Sequence, residues 1–187
     1  MFPNGTIAAR HCPTILEKVY ANLGSYRRVS DRRCPRSRDI LFGGFYSVAA
    51  TAAEPGIINW ALVNVRIASI NRATDSPPVS LDNLTSVEAG ARAFAARGCL
   101  NCHGGPGVKW AKFTEGMLPY PPDLKDIAKD REPPQLFWVV KNGIRMTGMP
   151  SFGSIGVSDK EIWTIVAFVK KLPTVSEADF KAWTAAP

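Results

Sequence analysis

Apolar residues recur at helical spacing in four stretches of the chain. Residues 158–172 open on Ser158-Asp-Lys-Glu161, a capping box in which a hydroxyl and a carboxylate satisfy the free N–H groups of a first turn. Ile162, Ile165, Val166 and Val169 then fall on one face, predicting a helix to about Leu172 that Pro173 closes because it has no N–H to donate. Thr85-Ser-Val-Glu88 reads as another capping box, and the Ala- and Arg-rich sequence to Arg97 predicts about three turns that end at Gly98. Between them, residues 133–143 carry proline in the first turn and glycine at the end, the asymmetry of a helix start and stop. Further upstream, Ile58, Ala61, Leu62, Val65 and Ala68 mark the apolar face of an amphipathic helix over 57–70. The following 71–81, with Pro77-Pro78, reads as a linker. These elements predict an all-α chain.

Composition adds a domain plan. At 187 residues the chain has room for one domain of ordinary size and a substantial extra segment, and 45% hydrophobic with 21% charged residues fits a folded soluble protein. Charge separates the parts: residues 1–40 hold eight Lys and Arg against three Asp and Glu, whereas 82–187 hold thirteen against eleven. A nucleic-acid reader would concentrate its cations on the folded domain, so no nucleic-acid partner is expected. The arginines at 27–38 instead precede the apolar run 40–53, which ends in small residues, an order that fits an export signal. That run is short of the roughly 20 apolar residues a membrane span needs, and Glu54-Pro55 stops it. The plan is therefore a basic extension over 1–39, a signal or partial anchor over 40–56, helix and linker over 57–81, and the main domain over 82–187. Residues 1–39 are open between an over-long start, a non-native segment and a cytoplasmic tail.

Candidate chemistry centres on the cysteines. Cys12 and Cys34 are isolated, each followed by proline, with His11 the only nearby metal-binding neighbour, too few ligands for a closed zinc site. Cys99-Leu-Asn-Cys102-His103 differs, for it has the C-x-x-C-H spacing of covalent haem attachment. Two thiols add across the two vinyl groups of a haem, and the adjoining imidazole becomes its proximal ligand. A thioredoxin-like dithiol would need a βαβ setting, which this stretch lacks. One such motif implies one haem c. Gly104-Gly105-Pro106-Gly107 turns the chain away directly after the ligand. The sequons Asn4-Gly-Thr6 and Asn83-Leu-Thr85 carry no weight, and no P-loop or dinucleotide fingerprint is present. With His11 the only other histidine, a methionine is favoured as sixth ligand; Met149, Met146 and Met117 are the candidates beyond residue 103.

Residues 86–172 resemble the small class I monohaem cytochromes c, including haem-carrying subunits of bacterial oxidases. The resemblance rests on the haem motif, on Gly90 and Phe94 set against Ile165 and Phe168, and on the Gly148-Met149-Pro150 segment. It implies the cytochrome c fold, with N- and C-terminal helices crossing around one covalently bound haem. It also implies Met149 as the sixth ligand, a Pro122 carbonyl accepting from His103, and Leu124 packed on the haem face. Phe137, Trp138 and Phe152 would line the pocket, and Arg145 would approach a propionate. Residues 41–80 resemble, more loosely, the stretch that follows, or forms the end of, an N-terminal membrane anchor in membrane-tethered monohaem cytochromes, through Gly43-Gly-Phe-Tyr-Ser-Val-Ala-Ala-Thr51 and Asn59-Trp-Ala-Leu-Val-Asn-Val-Arg66. The implied function is single-electron transfer, without substrate chemistry, in a bacterial respiratory or dehydrogenase chain. Its partners would be a dehydrogenase, an oxidase or another cytochrome, and its place the periplasm, with possible membrane association. The alternative is a gas-binding or peroxidase-like domain whose methionine bond is labile.

Overall fold

The computed structural model describes residues 43, 47–52, 55–78 and 80–185. The sequence-stretch 1–39, with His11, Cys12, Cys34 and the first sequon, lies outside the described residues, as does most of the apolar run 40–53. Residues 48–187 cluster as one compact unit. Among the described residues all regular structure is helical: α1 Gly56–Ile70, α2 Leu84–Ala96, α3 Cys99–His103, α4 Leu124–Asp130, α5 Pro133–Asn142, α6 Asp159–Lys171 and α7 Glu177–Ala185. The all-α expectation holds.

The core forms where α2 meets α6. Ile162, Ile165, Val166, Ala167 and Phe168 of α6 are buried to within 1%, and they face Val87, Ala91 and Phe94 of α2 in one cluster. Gly90 makes the approach possible: a Cβ there would land on the Thr164 carbonyl and lie 2.9 Å from Phe168 Cβ. Phe94 and Phe168 then meet at 5.3 Å between ring centroids, tilted by 55°, a geometry in which ring edges approach ring faces favourably. Phe180 of α7 continues the stack, 5.5 Å from Phe168. Phe137 of α5 lies flat on Trp163 of α6 at 4.2 Å, which fixes α5 and so the loop that leaves its end.

Local signals decide where the helices begin. Ser158 caps α6 by accepting from the Glu161 N–H at 3.3 Å. The cap of α2 is Asn83 rather than Thr85: its side-chain oxygen accepts from the Thr85 N–H at 2.9 Å, and the helix starts at Leu84. Asparagine at that position competes at least as well as threonine two residues later. For α5, the Gln135 side chain accepts from the Glu132 N–H at 3.1 Å ahead of Pro133 and Pro134. Exposed ion pairs Arg97–Glu161 and Lys141–Asp159, each at 2.8 Å, join helix ends; pairs of this kind set register more than they stabilise.

Helix α1 packs through one side only. Val63, Arg66, Ile67 and Ile70 form the covered side, with Ile70 buried, whereas Ala61, Leu62, Val65 and Ala68 are exposed. The helix is apolar on both sides, so spacing alone could not choose the face that packs. Its C-terminal end is held by Asn71, whose side-chain oxygen accepts from Arg131 at 3.2 Å and Gln135 at 3.1 Å. No helix among the described residues is long and apolar enough to cross a membrane.

Candidate haem site

Cys99, Cys102 and His103 share one short helix. Gly98, at φ 79°, ends α2 and lets α3 begin at once, and Gly104, at φ 64°, ends α3 directly after His103. The chain then doubles back through a tight bridge, with the Gly105 N–H donating to the Val108 carbonyl at 2.8 Å and the Val108 N–H donating in return at 3.0 Å. The Ala111 N–H donates to the Asn101 carbonyl at 2.8 Å, tying the returning loop to the middle of α3. Both thiols are free and half-buried. Burial pushes the Cys99 thiol up to about 11.

His103 is oriented from its other side. Its Nδ1 lies 3.0 Å from the Pro122 carbonyl, and a carbonyl oxygen can only accept, so Nδ1 carries the proton and Nε2 keeps a free lone pair. Burial, outweighing the Pro122 bond and nearby Asp123, holds the imidazole below its ordinary range. A neutral, oriented imidazole with a free nitrogen is what an iron ligand requires. Among the described residues no three Cys, His, Asp or Glu side chains are placed together to hold a metal ion. A cleft of about 220 Å³ opens beside His103, lined by Cys102, Trp110, Tyr120, Pro121, Pro122 and Asp123. Trp110 and Tyr120 meet edge to face at 6.1 Å there; nothing in the apolar periodicity singles them out.

The methionine loop hangs from the end of α5. Gly143, at φ 68°, ends the helix, and a Cβ on it would fall within 2.8 Å of backbone atoms of Met149, Pro150 and Ser151, so only glycine allows the loop to fold back this closely. The loop is closed by its own hydrogen bonds. The Ile144 N–H donates to the Met149 carbonyl at 3.1 Å. The Thr147 hydroxyl donates to the Ile144 carbonyl at 2.8 Å and accepts from the Met149 N–H at 3.1 Å. Met149 is half-buried and packs against the core. Met146 is 71% exposed and sits at φ 61°.

The remaining expected residues divide. Pro122 contacts His103, and Leu124 is half-buried against the core. Phe137 and Phe152 are buried within the core cluster, and Trp138 is half-buried. Arg145 is exposed and forms no ion pair among the described residues. Met149 does not line the cleft beside His103, which Cys102 and Pro122 share.

A family model described as cytochrome c oxidase, cbb3-type, subunit III, matches residues 85–169. No curated protein and no solved structure matches the chain. The match supports a class I c-type cytochrome domain over these residues. A domain of that kind implies haem as cofactor and haem-based electron transfer. The donor set fits that group: two thiols and a neutral imidazole on one turn, with a half-buried thioether in a loop closed by hydrogen bonds.

Proposed function

We propose that the chain carries one haem c, joined covalently through Cys99 and Cys102 and ligated by His103 and Met149, and relays single electrons in a bacterial respiratory or dehydrogenase chain. The observation that carries the reading is the His103–Pro122 contact at 3.0 Å, which leaves Nε2 free at the end of the Cys-x-x-Cys turn. Haem, when bound, supplies a one-electron iron couple. The residues of this chain do the rest. Pro122 fixes the imidazole ring and its tautomer, and Thr147 and Gly143 fix the backbone of Met149. A thioether opposite imidazole raises the potential relative to a second imidazole and suits a carrier.

The test is the spectrum and extraction behaviour of the holoprotein. Oxidised protein is expected to be low-spin, with the weak red charge-transfer band of a sulfur–iron(III) bond, and its colour is expected to resist acid-solvent extraction. High-spin iron with rapid carbon monoxide binding would replace the carrier by the gas-binding or peroxidase-like reading. Extractable haem would overturn covalent attachment.

We place the domain in the periplasm, tethered at the inner membrane, where it exchanges electrons with an oxidase, a dehydrogenase or another cytochrome. Thioether attachment outside the cytoplasm, the arginines before the run 40–53, and the oxidase subunit named by the family description support this. So does α1, whose Ile57, Trp60, Ala61, Val65 and Ala68 form an exposed stripe opposite its packed side. Asn64 and Ser69, near that stripe, bond back to the carbonyls of Trp60 and Val65 at 2.7 and 2.9 Å, so they ask little of the solvent. Full-length protein is expected to sediment with phosphatidylglycerol vesicles, and a Trp60→Glu, Val65→Glu double variant to stay largely in solution. Equal partition of the two would remove α1 from the membrane contact.

A further inference from the structure

We propose that Met117 is a positioning residue for Met149: it reaches from the His103 side of the domain onto Gly148 and seats the loop that presents the ligand sulfur. The inference rests on the reading of Met149 as the sixth ligand.

The backbone of Met117 is linked stepwise to the haem-binding turn. Its N–H donates to the Thr114 carbonyl at 3.1 Å, the Thr114 hydroxyl donates to the Ala111 carbonyl at 2.8 Å, and the Ala111 N–H donates to the Asn101 carbonyl at 2.8 Å. Asn101 lies between the two cysteines on α3, and Thr114 in the middle of this chain is fully buried. Met117 is thus set in position by the segment that carries His103.

Its side chain ends on the opposite loop. A Cβ built on Gly148 would land on the Met117 terminal methyl, with the sulfur 3.6 Å away. Gly148 stands between Thr147, which holds the Met149 N–H, and Met149 itself. The methyl therefore bears on the peptide unit next to the candidate ligand. Methionine suits the contact, being unbranched and polarizable enough to fill an irregular gap. Gly148 suits it from the other side, because any side chain there would compete for the same space. The pair joins the two segments whose separation sets where a sulfur can stand relative to the imidazole.

The experiment uses full-length holoprotein and four variants: Met117→Ala, Met117→Leu, Gly148→Ala and the Met117→Ala, Gly148→Ala double. Readouts are the red sulfur–iron(III) band, the reduction potential and the rate of carbon monoxide binding to reduced protein. In Met117→Ala the band weakens and carbon monoxide binds about tenfold faster, the change in open population expected when a side-chain contact of this size is lost. Met117→Leu, close in volume, stays near wild type. Gly148→Ala also weakens the band, and the double variant recovers part of it because the new methyl occupies the vacated space. An unchanged band and rate in Met117→Ala would overturn the proposal. Loss in Met117→Leu as large as in Met117→Ala would overturn it too, pointing to the sulfur rather than to packing. Should Met117→Ala not accumulate with haem, Met117→Val reports the same contact, and a wild-type rate there is equally fatal. Failure of the ligand reading looks different: the band is absent from wild type, or persists in Met149→Ala.

Discussion

Replacing Met149 with alanine is expected to abolish the red sulfur–iron(III) band, to open the iron to small ligands, and to lower the reduction potential. The potential should fall on the order of 0.1 V, a fraction of the roughly 0.8 V over which axial ligation sets haem potentials. Imidazole on one side would then face water on the other, and the thioether's preference for iron(II) would be lost. Met146→Ala serves as the control. Its side chain is 71% exposed, and it occupies a left-handed backbone position that costs a residue with a Cβ on the order of 1–2 kcal/mol. Alanine relieves none of that strain but removes the competing sulfur, so the band should survive. A band lost in Met146→Ala and kept in Met149→Ala would preserve the function and correct the ligand. Ultraviolet-visible spectra and redox titration of the three proteins decide the matter.

Serine at Cys99 or Cys102 is expected to reduce the yield of haem-containing protein severely. A hydroxyl cannot form the thioether, and each lost bond leaves haem held by the other thiol and by axial ligands alone. The two positions differ in their surroundings: Cys99 packs against the core cluster, while Cys102 lines the cleft beside His103. Haem retained by a single bond is identified by its reduced pyridine complex, which absorbs to the red of the doubly attached form. Serine at Cys12 or Cys34 should leave yield and spectrum unchanged. A Cys102→Ser protein that accumulates normally, with the doubly attached spectrum, would remove that thiol from the attachment.

The main helices were legible in the sequence because they are long, capped and periodic: α2, α5 and α6 lie where apolar spacing and proline or glycine punctuation put them. The short ones were not. Helix α3 has five residues and α4 seven, too few turns for a period to show. Helix α7 reaches the core chiefly through Phe180, which isolated from its neighbours carries no pattern. Which side of α1 packs was not legible for the opposite reason, since apolar residues on both sides leave the choice to tertiary packing. Within the site, Cys99, Cys102 and His103 announce themselves by spacing. The Thr147 bonds span only two and three residues, a hydroxyl-to-backbone pattern any threonine in a loop can adopt. The Met117–Gly148 contact spans about 30 positions of sequence, and no local motif encodes it.

Asn71 has a mechanical side. It fastens the end of α1 to Arg131 and Gln135, and Gln135 is the residue that closes the first turn of α5. The other end of α5 runs into Gly143 and the methionine loop, about 15 Å away at 1.5 Å per residue over ten residues. Helix α5 is thus a strut with the exposed stripe of α1 attached at one end and the Met149 loop at the other. On the membrane contact proposed above, a load on α1 would enter the strut at its capped turn. The stack of Phe137 on Trp163, 4.2 Å between ring centroids, fastens the strut to α6 between its two ends.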